Sequence, residues 1–217
     1  CAWPWVPPSI ARPSVASYPG RMKNPKRSMA CALVLLVFAV SGCGYNSIQG
    51  ADENVKAAWA EVQNQYQRRM DLIPNLVSTV KGAANFEKET LEAVIQARAS
   101  ATSVKMDASV LDDPEAFAKL QAAQGSLSSA LSRLLVVSER YPELTATAGF
   151  RDLQAQLEGT ENRITVARKR YVETVAEYNK LVRFFPTNLT ARFLLGAEPR
   201  PTFEATGGAE RPPEVKF

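Results

Sequence analysis

The stretch RRMDLIPNLVSTVKG, residues 68–82, has a proline in the middle of an apolar pattern that continues on both sides of it. Apolar residues recur every three or four positions and keep one phase across Pro74, which is the spacing of a helix with one buried face. They are Val55, Trp59, Val62, Tyr66, Ile73, Leu76, Val77 and Val80. A proline inside a helix costs about 3 kcal/mol, which a kinked helix tolerates. The pattern predicts one long helix from Asp52, its expected N-cap, to Lys81, kinked at Pro74; a chain reversal at Pro74 is the alternative.

Three further segments carry the same helical periodicity, and no segment alternates as a strand does. They are residues 86–103, 114–141 and 150–185. Pro114 suits a first helical turn, with Asp112 and Asp113 as capping candidates. Pro142 and Pro186 end the later two segments, because the residue before a proline avoids the helical region. Four amphipathic helices with short connections predict an all-α fold, an antiparallel up-and-down four-helix bundle with long, coiled-coil-like helices.

The net charge of +4 originates in the N-terminal part of the chain. Residues 1–42 contain five basic residues and no acidic one, whereas the remainder contains 21 basic and 22 acidic residues. A nucleic-acid-binding role therefore loses its main support. The chain has no histidine, which excludes Ser-His-Asp and Cys-His catalysis, histidine-containing zinc sites and the Glu-x-x-His di-iron site of helical bundles. We predict no enzyme activity, no metal, no cofactor and no small-molecule ligand.

The first 42 residues are typical of segments that do not belong to the folded body. Residues 1–21 contain five prolines and no methionine, and are interpreted as an extension upstream of a start at Met22. Basic residues then precede an apolar run over residues 29–40. This run is shorter than the roughly 20 residues that span a bilayer, but it has the length of a signal-peptide core. Residues 22–42 are therefore predicted to be a signal peptide.

Val40-Ser41-Gly42-Cys43 resembles a lipobox, the processing site of bacterial lipoproteins. The other two cysteines, Cys1 and Cys31, lie in the leader, so Cys43 has no partner for a disulfide in the processed chain. Acyl chains on Cys43 would contribute about 0.8 kcal/mol for each buried CH₂ and hold the protein on a membrane. Gly44, directly after the cysteine, resembles the residues found there in lipoproteins that Gram-negative bacteria sort to the outer membrane. The body would then face the periplasm. The alternative is an uncleaved single-pass anchor in the inner membrane.

Polar residues gather beside Pro74, which frees a helix carbonyl from its usual donor. They are Arg69, Asp71, Asn75 and Lys81. One interpretation is a binding notch; the other is structural, an Arg-Asp pair and an Asn cap that satisfy the kink.

A second polar group, Glu161-Asn162-Arg163, interrupts the apolar face of the last helix. Glu161 follows Leu157 by four residues, so we expect it to border the core. Its expected partner is one of three arginines from other helices: Arg68, Arg69 or Arg133. Catalysis by Glu161 is the alternative to this structural pairing.

Four features remain, most of them near the end of the chain. Arg168, Lys169 and Arg170 form the densest basic run, interpreted as a solvated helix face, with contact to anionic lipid headgroups as the alternative. Tyr66, Tyr171 and Tyr178 fall on apolar faces and are predicted to be core. Phe184-Phe185-Pro186 and Phe193-Leu194-Leu195 are predicted to pack at the bundle end, the alternative being an interfacial segment. Prolines and glycines predict a flexible tail over residues 197–217.

Residues 68–82 also resemble the core motif of the LemA family of bacterial envelope proteins. Further matches are Glu87-x-Glu-Thr-Leu-Glu-x-Val, Ala97-Arg98, Leu131-Ser-Arg-Leu-Leu135, Tyr141-Pro142, Thr160-Glu-Asn-Arg-Ile164, Tyr178-Asn179 and Phe185-Pro186-x-Asn188. Together they span residues 44–195 in the right order. The resemblance implies a membrane-associated helical bundle whose biochemical activity is not firmly assigned. Many LemA relatives are encoded near membrane proteases or other envelope proteins, which implies partners of that class.

These observations predict a lipid-anchored, extracytoplasmic helical bundle that serves as an interaction or scaffold module of the cell envelope. Residues 43–50 would form a lipidated spacer and residues 51–196 the LemA-like bundle. One rival is a hydrolase or lyase that acts on cell-wall material with a glutamate or aspartate. The other is a protein that shapes membranes directly through its basic residues.

Overall fold

The computed structural model describes residues 25–83 and 86–203, with side chains from residue 44 onward. These residues form helices and connecting segments without a β-strand, so the predicted all-α class is confirmed. The chain divides into two compact units, Cys1–Ala39 and Val40–Phe217, and every contact below belongs to the second. The upstream extension predicted at residues 1–21 and the side chains of the predicted signal peptide lie outside the described part. Within that part, no helix combines the length and the apolar character that crossing a membrane requires.

Six α-helices and two short turns follow one another along the chain. The helices are α1 (Pro25–Lys81), α2 (Lys88–Ser103), α3 (Pro114–Ser138), α4 (Pro142–Thr145), α5 (Ala148–Arg183) and α6 (Thr187–Thr190). A 3-10 turn (Ala108–Asp112) precedes α3, and a π-helical turn (Ala191–Leu195) follows α6. The Asp113 carboxylate caps α3, as predicted, by accepting hydrogen bonds from the backbone N–H of Glu115 at 2.9 Å and of Ala116 at 3.1 Å.

Helix α1 continues through Pro74 to Lys81, so the alternative of a chain reversal is wrong. The helix also begins earlier than predicted, which makes residues 44–50 helical and puts Asp52 inside the helix rather than at its N-cap. Because proline has no N–H, the carbonyl of Met70 loses its donor within the helix. Arg98 of α2 supplies the missing donor, with its Nε 3.2 Å from that oxygen.

One hydrophobic cluster, the first core, joins residues 48–66 of α1 to the start of α3 and the later half of α5. Its members include Trp59, Tyr66, Phe117 and Tyr171. Val110 and Leu111 of the 3-10 turn also belong to it. The ring of Trp59 lies 5.7 Å from that of Phe117 and 5.4 Å from that of Tyr171. The core placement predicted for Tyr66, Tyr171 and Tyr178 is confirmed.

A second cluster, the second core, joins the later half of α1 to α2, the later half of α3 and the start of α5. Its members are Met70, Ile73, Leu76, Val77, Val80, Leu91, Val94, Ala101, Leu127, Leu131, Leu134, Leu144, Phe150 and Leu157. Helix α2 contributes to this cluster only, because it is much shorter than α1, α3 and α5. The first core therefore has to be covered by other parts of the chain.

Residues 197–203, the C-terminal segment, provide part of that cover. Gly196 has a φ of 58°, a left-handed conformation that glycine adopts without strain and that ends the π-helical turn. The ring of Phe203 then packs 4.9 Å from Phe117 and 5.4 Å from Tyr171. The prediction of a flexible tail is therefore wrong for these residues, because aromatic packing and hydrogen bonds fix them on the body. Residues 204–217 lie outside the described part.

Candidate functional site

A groove of about 1220 Å³ runs between α3 and α5, with α1 beneath it. Its lining includes three charged side chains, Arg69, Glu161 and Arg168, and several small residues of α3. Helical spacing explains the arrangement. Arg69 follows Tyr66 by three positions on α1, so both side chains lie on the face that the bundle buries. The groove is therefore an external cleft whose base holds a buried cation.

Arg69 is only 1% exposed, and its guanidinium is held by residues of two other helices. Nη1 donates to Glu161 Oε2 of α5 at 2.8 Å and to Ser128 Oγ of α3 at 2.7 Å. Nη2 donates to the side-chain oxygen of Gln124, also on α3, and to its backbone oxygen at 3.4 Å. The Nε atom is buried and has no hydrogen-bond partner. One arginine thus ties α1 to α3 and α5 and retains one unused donor.

Glu161 completes a closed set of hydrogen bonds with Arg69 and Ser128. Its second oxygen, Oε1, accepts a hydrogen bond from Ser128 Oγ at 3.0 Å. The Glu161 side chain is 47% exposed, so the carboxylate faces the groove while the guanidinium below it is shielded from water. Because an unpaired buried cation is costly, this pairing offsets the cost of burying the Arg69 guanidinium in the core.

Small side chains form the α3 wall of the groove. Ala118, Ala122, Gly125 and Ser129 recur at helical spacing and are exposed. On the α5 side, Arg168 lines the groove and its Cζ lies 4.2 Å from the centre of the Phe203 ring, which holds the side chain in place. Two cations and one carboxylate give the lining a net charge of +1. Burial raises the pKa of Tyr66 despite the two nearby arginines, so its phenol remains neutral.

The structure separates the polar residues that the sequence grouped around Pro74. Asp71, Asn75 and Lys81 are exposed on α1 and lie outside the groove. Asp71 accepts a hydrogen bond from Gln67 at 2.8 Å instead of pairing with Arg69, so the predicted Arg-Asp pair is wrong. The predicted Asn cap is also wrong, because Arg98 satisfies the carbonyl that Pro74 frees. The pairing predicted for Glu161 is confirmed, with Arg69 as the partner.

The remaining predicted residues lie at the surface. Asn162 and Arg163 are exposed on α5, beside the paired Glu161. In the basic run, Lys169 and Arg170 are exposed as expected, whereas Arg168 is half-buried against Phe203. The side chain of Cys43 lies outside the described part, so its lipidation stays a prediction. Bundle-end packing is wrong for Phe184, Phe185, Phe193 and Leu194, which are exposed.

Arg200, which the sequence analysis missed, anchors the C-terminal segment. Its Nη2 donates to Asp52 Oδ1 at 2.8 Å, and its Nη1 donates to Asp112. Its backbone N–H donates to the Asn179 side chain at 2.8 Å, and its carbonyl accepts from the same amide at 3.0 Å. The Tyr171 hydroxyl donates to Pro201 O at 2.9 Å. Side chains from α1, α5 and the 3-10 turn thus converge on one short segment.

The pKa of the Asp52 carboxylate reflects the charges that surround Arg200. Partial burial alone would raise its pKa, but hydrogen bonds and charge from Lys56 and Arg200 outweigh burial, and the pKa lies below its ordinary value. Burial raises the pKa of the Tyr171 and Tyr178 phenols, against the opposing charge of Arg200. Tyr171 therefore keeps the proton with which it holds Pro201.

Comparison with known proteins agrees with the motifs in the sequence. The chain is 23% identical to magnetosome protein MamQ 2 of Paramagnetospirillum magneticum over 184 residues, which are 77% of this chain and 67% of that protein. It is 24% identical to protein LemA of Metamycoplasma hominis over 149 residues, 69% of this chain and 61% of that protein. The chain is 25% identical to magnetosome protein MamQ of Magnetospirillum gryphiswaldense over 163 residues, which are 68% of this chain and 60% of that protein. The chain thus matches about two thirds of the length of these relatives.

The family assignment rests on a match to a model of a whole protein family. The sequence profile of the LemA family matches residues 58–217, which include residues 58–81 of α1, all of α2 to α6 and the C-terminal segment. This range is well over half of the chain, and the protein therefore belongs to the LemA family.

Proposed function

We propose that this protein is a membrane-anchored, extracytoplasmic LemA-type protein that acts as an interaction or scaffold module of the bacterial cell envelope. The groove between α3 and α5 would be its binding surface. The observation that carries this proposal is the groove itself, in which a low wall of small residues borders a charged network fixed by three helices.

The body that presents the groove is proposed to be an antiparallel up-and-down four-helix bundle of α1, α2, α3 and α5. Support comes from contacts that pair opposite ends of consecutive helices. Glu87 before α2 pairs with Arg140 after α3 at 2.6 Å, and the Phe86 ring lies 4.9 Å from that of Tyr141. The two cores likewise pair residues 48–66 of α1 with the later half of α5, and residues 70–80 of α1 with the start of α5. Such a body is rigid enough to hold a binding surface in one shape.

The groove suits a helix of a protein partner better than a compact ligand. Small residues at Ala118, Ala122 and Gly125 allow another backbone to approach α3 closely, as in helix-in-groove recognition. Its net charge of +1 favours a partner helix that brings an acidic side chain toward Arg168. The relatives that are named as magnetosome proteins are consistent with a family whose members work in different bacterial assemblies.

A catalytic use of Glu161 is not part of this proposal. The groove is concave, as an active site would be, but both carboxylate oxygens are already bonded to Arg69 and Ser128. A general acid or base has to exchange a proton with its substrate, and Glu161 would have to abandon these bonds first. The pairing supports a structural role, in which Glu161 fixes Arg69 and with it the register of three helices.

Anchoring is proposed to depend on Cys43, as a lipoprotein on the outer membrane facing the periplasm in a Gram-negative host. The alternative is a single-pass anchor in the inner membrane. Cys43→Ser separates the two by processing, because it abolishes acylation and leaves a longer, uncleaved precursor of a lipoprotein, whereas a protein with an uncleaved anchor keeps the same length.

The groove can be tested by photo-crosslinking in intact cells. A photoreactive amino acid at Ser129, on the small-residue wall, should capture a discrete envelope protein. The matched control is Val136, which is exposed on the same helix and lies outside the groove. Capture at both positions, or at neither while a known envelope complex is trapped in the same cells, would contradict a binding groove.

A pair of glycine substitutions provides the second arm of this test. Gly125 and Gly159 both lie inside helices, and a Cβ added at either meets nothing within 4 Å. Leucine at either site should raise helix stability by up to about 1 kcal/mol. Only Gly125→Leu fills the groove, so only this variant should lose the crosslink from Ser129. Loss of the crosslink in Gly159→Leu as well would point to a different surface.

A further inference from the structure

Exposed apolar side chains concentrate at one end of the folded body. Among the described residues, nine large hydrophobic side chains are exposed, and six of them lie at or near this end: Tyr45, Phe184, Phe185, Leu189, Phe193 and Leu194. Phe185 is 79% exposed and Phe193 is 75% exposed, although phenylalanine normally lies in a core. We call these six residues the apolar end surface. A cluster of this kind marks a site of interaction rather than scattered surface variation.

The apolar end surface lies where the chain enters the second compact unit. A Cβ added at Gly44 would lie 3.3 Å from Thr190 Oγ1 and 3.4 Å from Thr187 Cγ2, so α6 packs directly on the first described side chains of α1. Ile48 of α1 and Ala191 of the π-helical turn share the first core. Four apolar residues of the surface flank α6 in the sequence, and α6 contacts α1 at Gly44.

The chain segments that form the apolar end surface carry basic residues and no acidic ones. Residues 41–51 and 179–197 contain no aspartate or glutamate. Of the basic residues in the same ranges, Lys180 pairs with Glu177 at 2.7 Å, whereas Arg183 and Arg192 are exposed beside the phenylalanines. Aromatic and aliphatic side chains flanked by arginine match the interface of a bilayer, where the former enter the acyl boundary and the latter meet anionic headgroups.

We propose that the apolar end surface inserts into the headgroup region of a membrane that contains anionic lipid. This contact is distinct from the groove and from acylation of Cys43. It adds a second attachment at the end of the body where the chain would emerge from the membrane. Two attachments at one end would hold the long helices in a defined orientation and direct the opposite end away from the bilayer.

Tryptophan placed in this surface can report its depth in the full-length chain. Phe185→Trp puts the probe in the apolar end surface, and Val136→Trp puts it at a matched site that is 66% exposed on α3. Neither position is part of a core, so both variants should fold. Each is mixed with vesicles of phosphatidylethanolamine and phosphatidylglycerol, with and without brominated acyl chains, and the emission of the wild type with its three native tryptophans is subtracted.

The added emission of Phe185→Trp should shift to the blue and lose roughly half or more of its intensity with brominated lipid, since interfacial side chains lie within the reach of the bromine atoms. The added emission of Val136→Trp should change in neither way. A blue shift at residue 185 without quenching would overturn the proposal in favour of a protein cover, such as a second copy of the chain. Absence of both changes, or failure of the protein to float with the vesicles, would also overturn it.

Lipid charge provides an independent readout of the same contact. Quenching of Phe185→Trp should decrease severalfold in vesicles of brominated phosphatidylcholine alone, which lack anionic headgroups. The further substitutions Arg183→Gln and Arg192→Gln should reduce the difference between the two lipid compositions. Equal quenching in both compositions, with and without these arginines, would contradict the role assigned to anionic lipid.

Discussion

The two cores share three long helices but are completed by different fourth elements. Around the second core the fourth element is α2, a regular amphipathic helix that supplies Leu91, Val94 and Ala101. Around the first core no residue of α2 takes part, and its place is taken by residues 104–112 and the C-terminal segment. The first core is also the more aromatic, with rings from Trp59, Phe117, Tyr171 and Phe203 in mutual contact.

This difference shows two ways to complete one bundle. A helix covers a core by periodicity and satisfies its own backbone hydrogen bonds. An irregular segment has to have its backbone groups bonded by side chains, which is the role of Asn179 and Tyr171 toward residues 200 and 201. The first core should therefore depend on a few polar side chains, and the second on apolar packing.

The largest effect is expected where the two cores meet, at the Arg69–Glu161 pair. Glu161→Ala removes the carboxylate that pairs with the buried guanidinium. The variant should lose about 3 kcal/mol of the free energy of unfolding, because the charge of Arg69 is left uncompensated inside the body. Chemical denaturation followed by circular dichroism measures this loss.

The double variant Arg69→Met, Glu161→Ala is the control for this interpretation. Methionine fills a similar volume without a charge, so the double variant should recover most of the lost stability. A double variant as unstable as Glu161→Ala alone would mean that the lost contacts, and not the buried charge, determine the cost.

The next effect should be confined to the first core. Arg200→Met removes the bonds to Asp52 and Asp112 and should cost about 2 kcal/mol, the range for hydrogen bonds to charged groups. Hydrogen exchange should show lost protection at the amides of Ala197 and Arg200, which are bonded to Ala191 O at 3.0 Å and to Asn179 at 2.8 Å. Protection of α2, which contributes to the second core alone, should change little.

Arg192→Met is the matched control, because Arg192 is exposed and lies close to the same segment in the sequence. Its exchange profile should equal that of the wild type. If Arg200→Met instead weakens protection evenly over α2 and the C-terminal segment, the two cores unfold as one unit and the comparison between them fails at the level of stability.

The second core offers a smaller and more local test at Pro74. Arg98→Met deprives the Met70 carbonyl of its donor and should cost about 1 kcal/mol. Pro74→Ala restores a backbone N–H that can reach the same carbonyl. In that background the cost of Arg98→Met should fall below half of its original value, as a double-mutant cycle measures. An unchanged cost would show that Arg98 acts through its packing and not through the freed carbonyl.

Helices α1, α2, α3 and α5 were predictable from the sequence because the spacing of apolar residues indicates each of them directly. The continuation of α1 through Pro74 follows from apolar residues that keep one phase, and the start of α3 follows from Asp113 and Pro114. The pairing of Glu161 was also predictable, since a carboxylate at the border of a core needs a cation. Gln124 is a polar residue at a core position of α3. From the sequence, this could have indicated that Gln124 belongs to the same network.

The C-terminal segment was not predictable because its order comes from contacts distant in the sequence. Prolines and glycines mark a chain that forms no regular structure, and they do not reveal whether such a chain packs on a surface. Arg200 meets Asp52 across 148 positions, and no local pattern links the two. Tyr178-Asn179 did appear among the family motifs, and the structure supplies the reason for Asn179, which bonds the backbone of Arg200 on both sides.

The smallest expected effect is a pH dependence of the free energy of unfolding that arises from the contact between Asp52 and the C-terminal segment. The pKa of Asp52 lies below its ordinary value in the folded protein, so acid protonates the unfolded chain first. This contribution is therefore complete above about pH 4, the ordinary range of an aspartate, and is lost as the pH falls through the folded pKa. Asp52→Asn should flatten the decline of the free energy of unfolding in this acidic window. In the Arg200→Met background the same substitution should flatten it less, because one of the two cations that lower the pKa is gone. Equal acid slopes for wild type and Asp52→Asn would show that the anchor is held by the bonds of Asn179 and by Phe203, and that charge adds little to it.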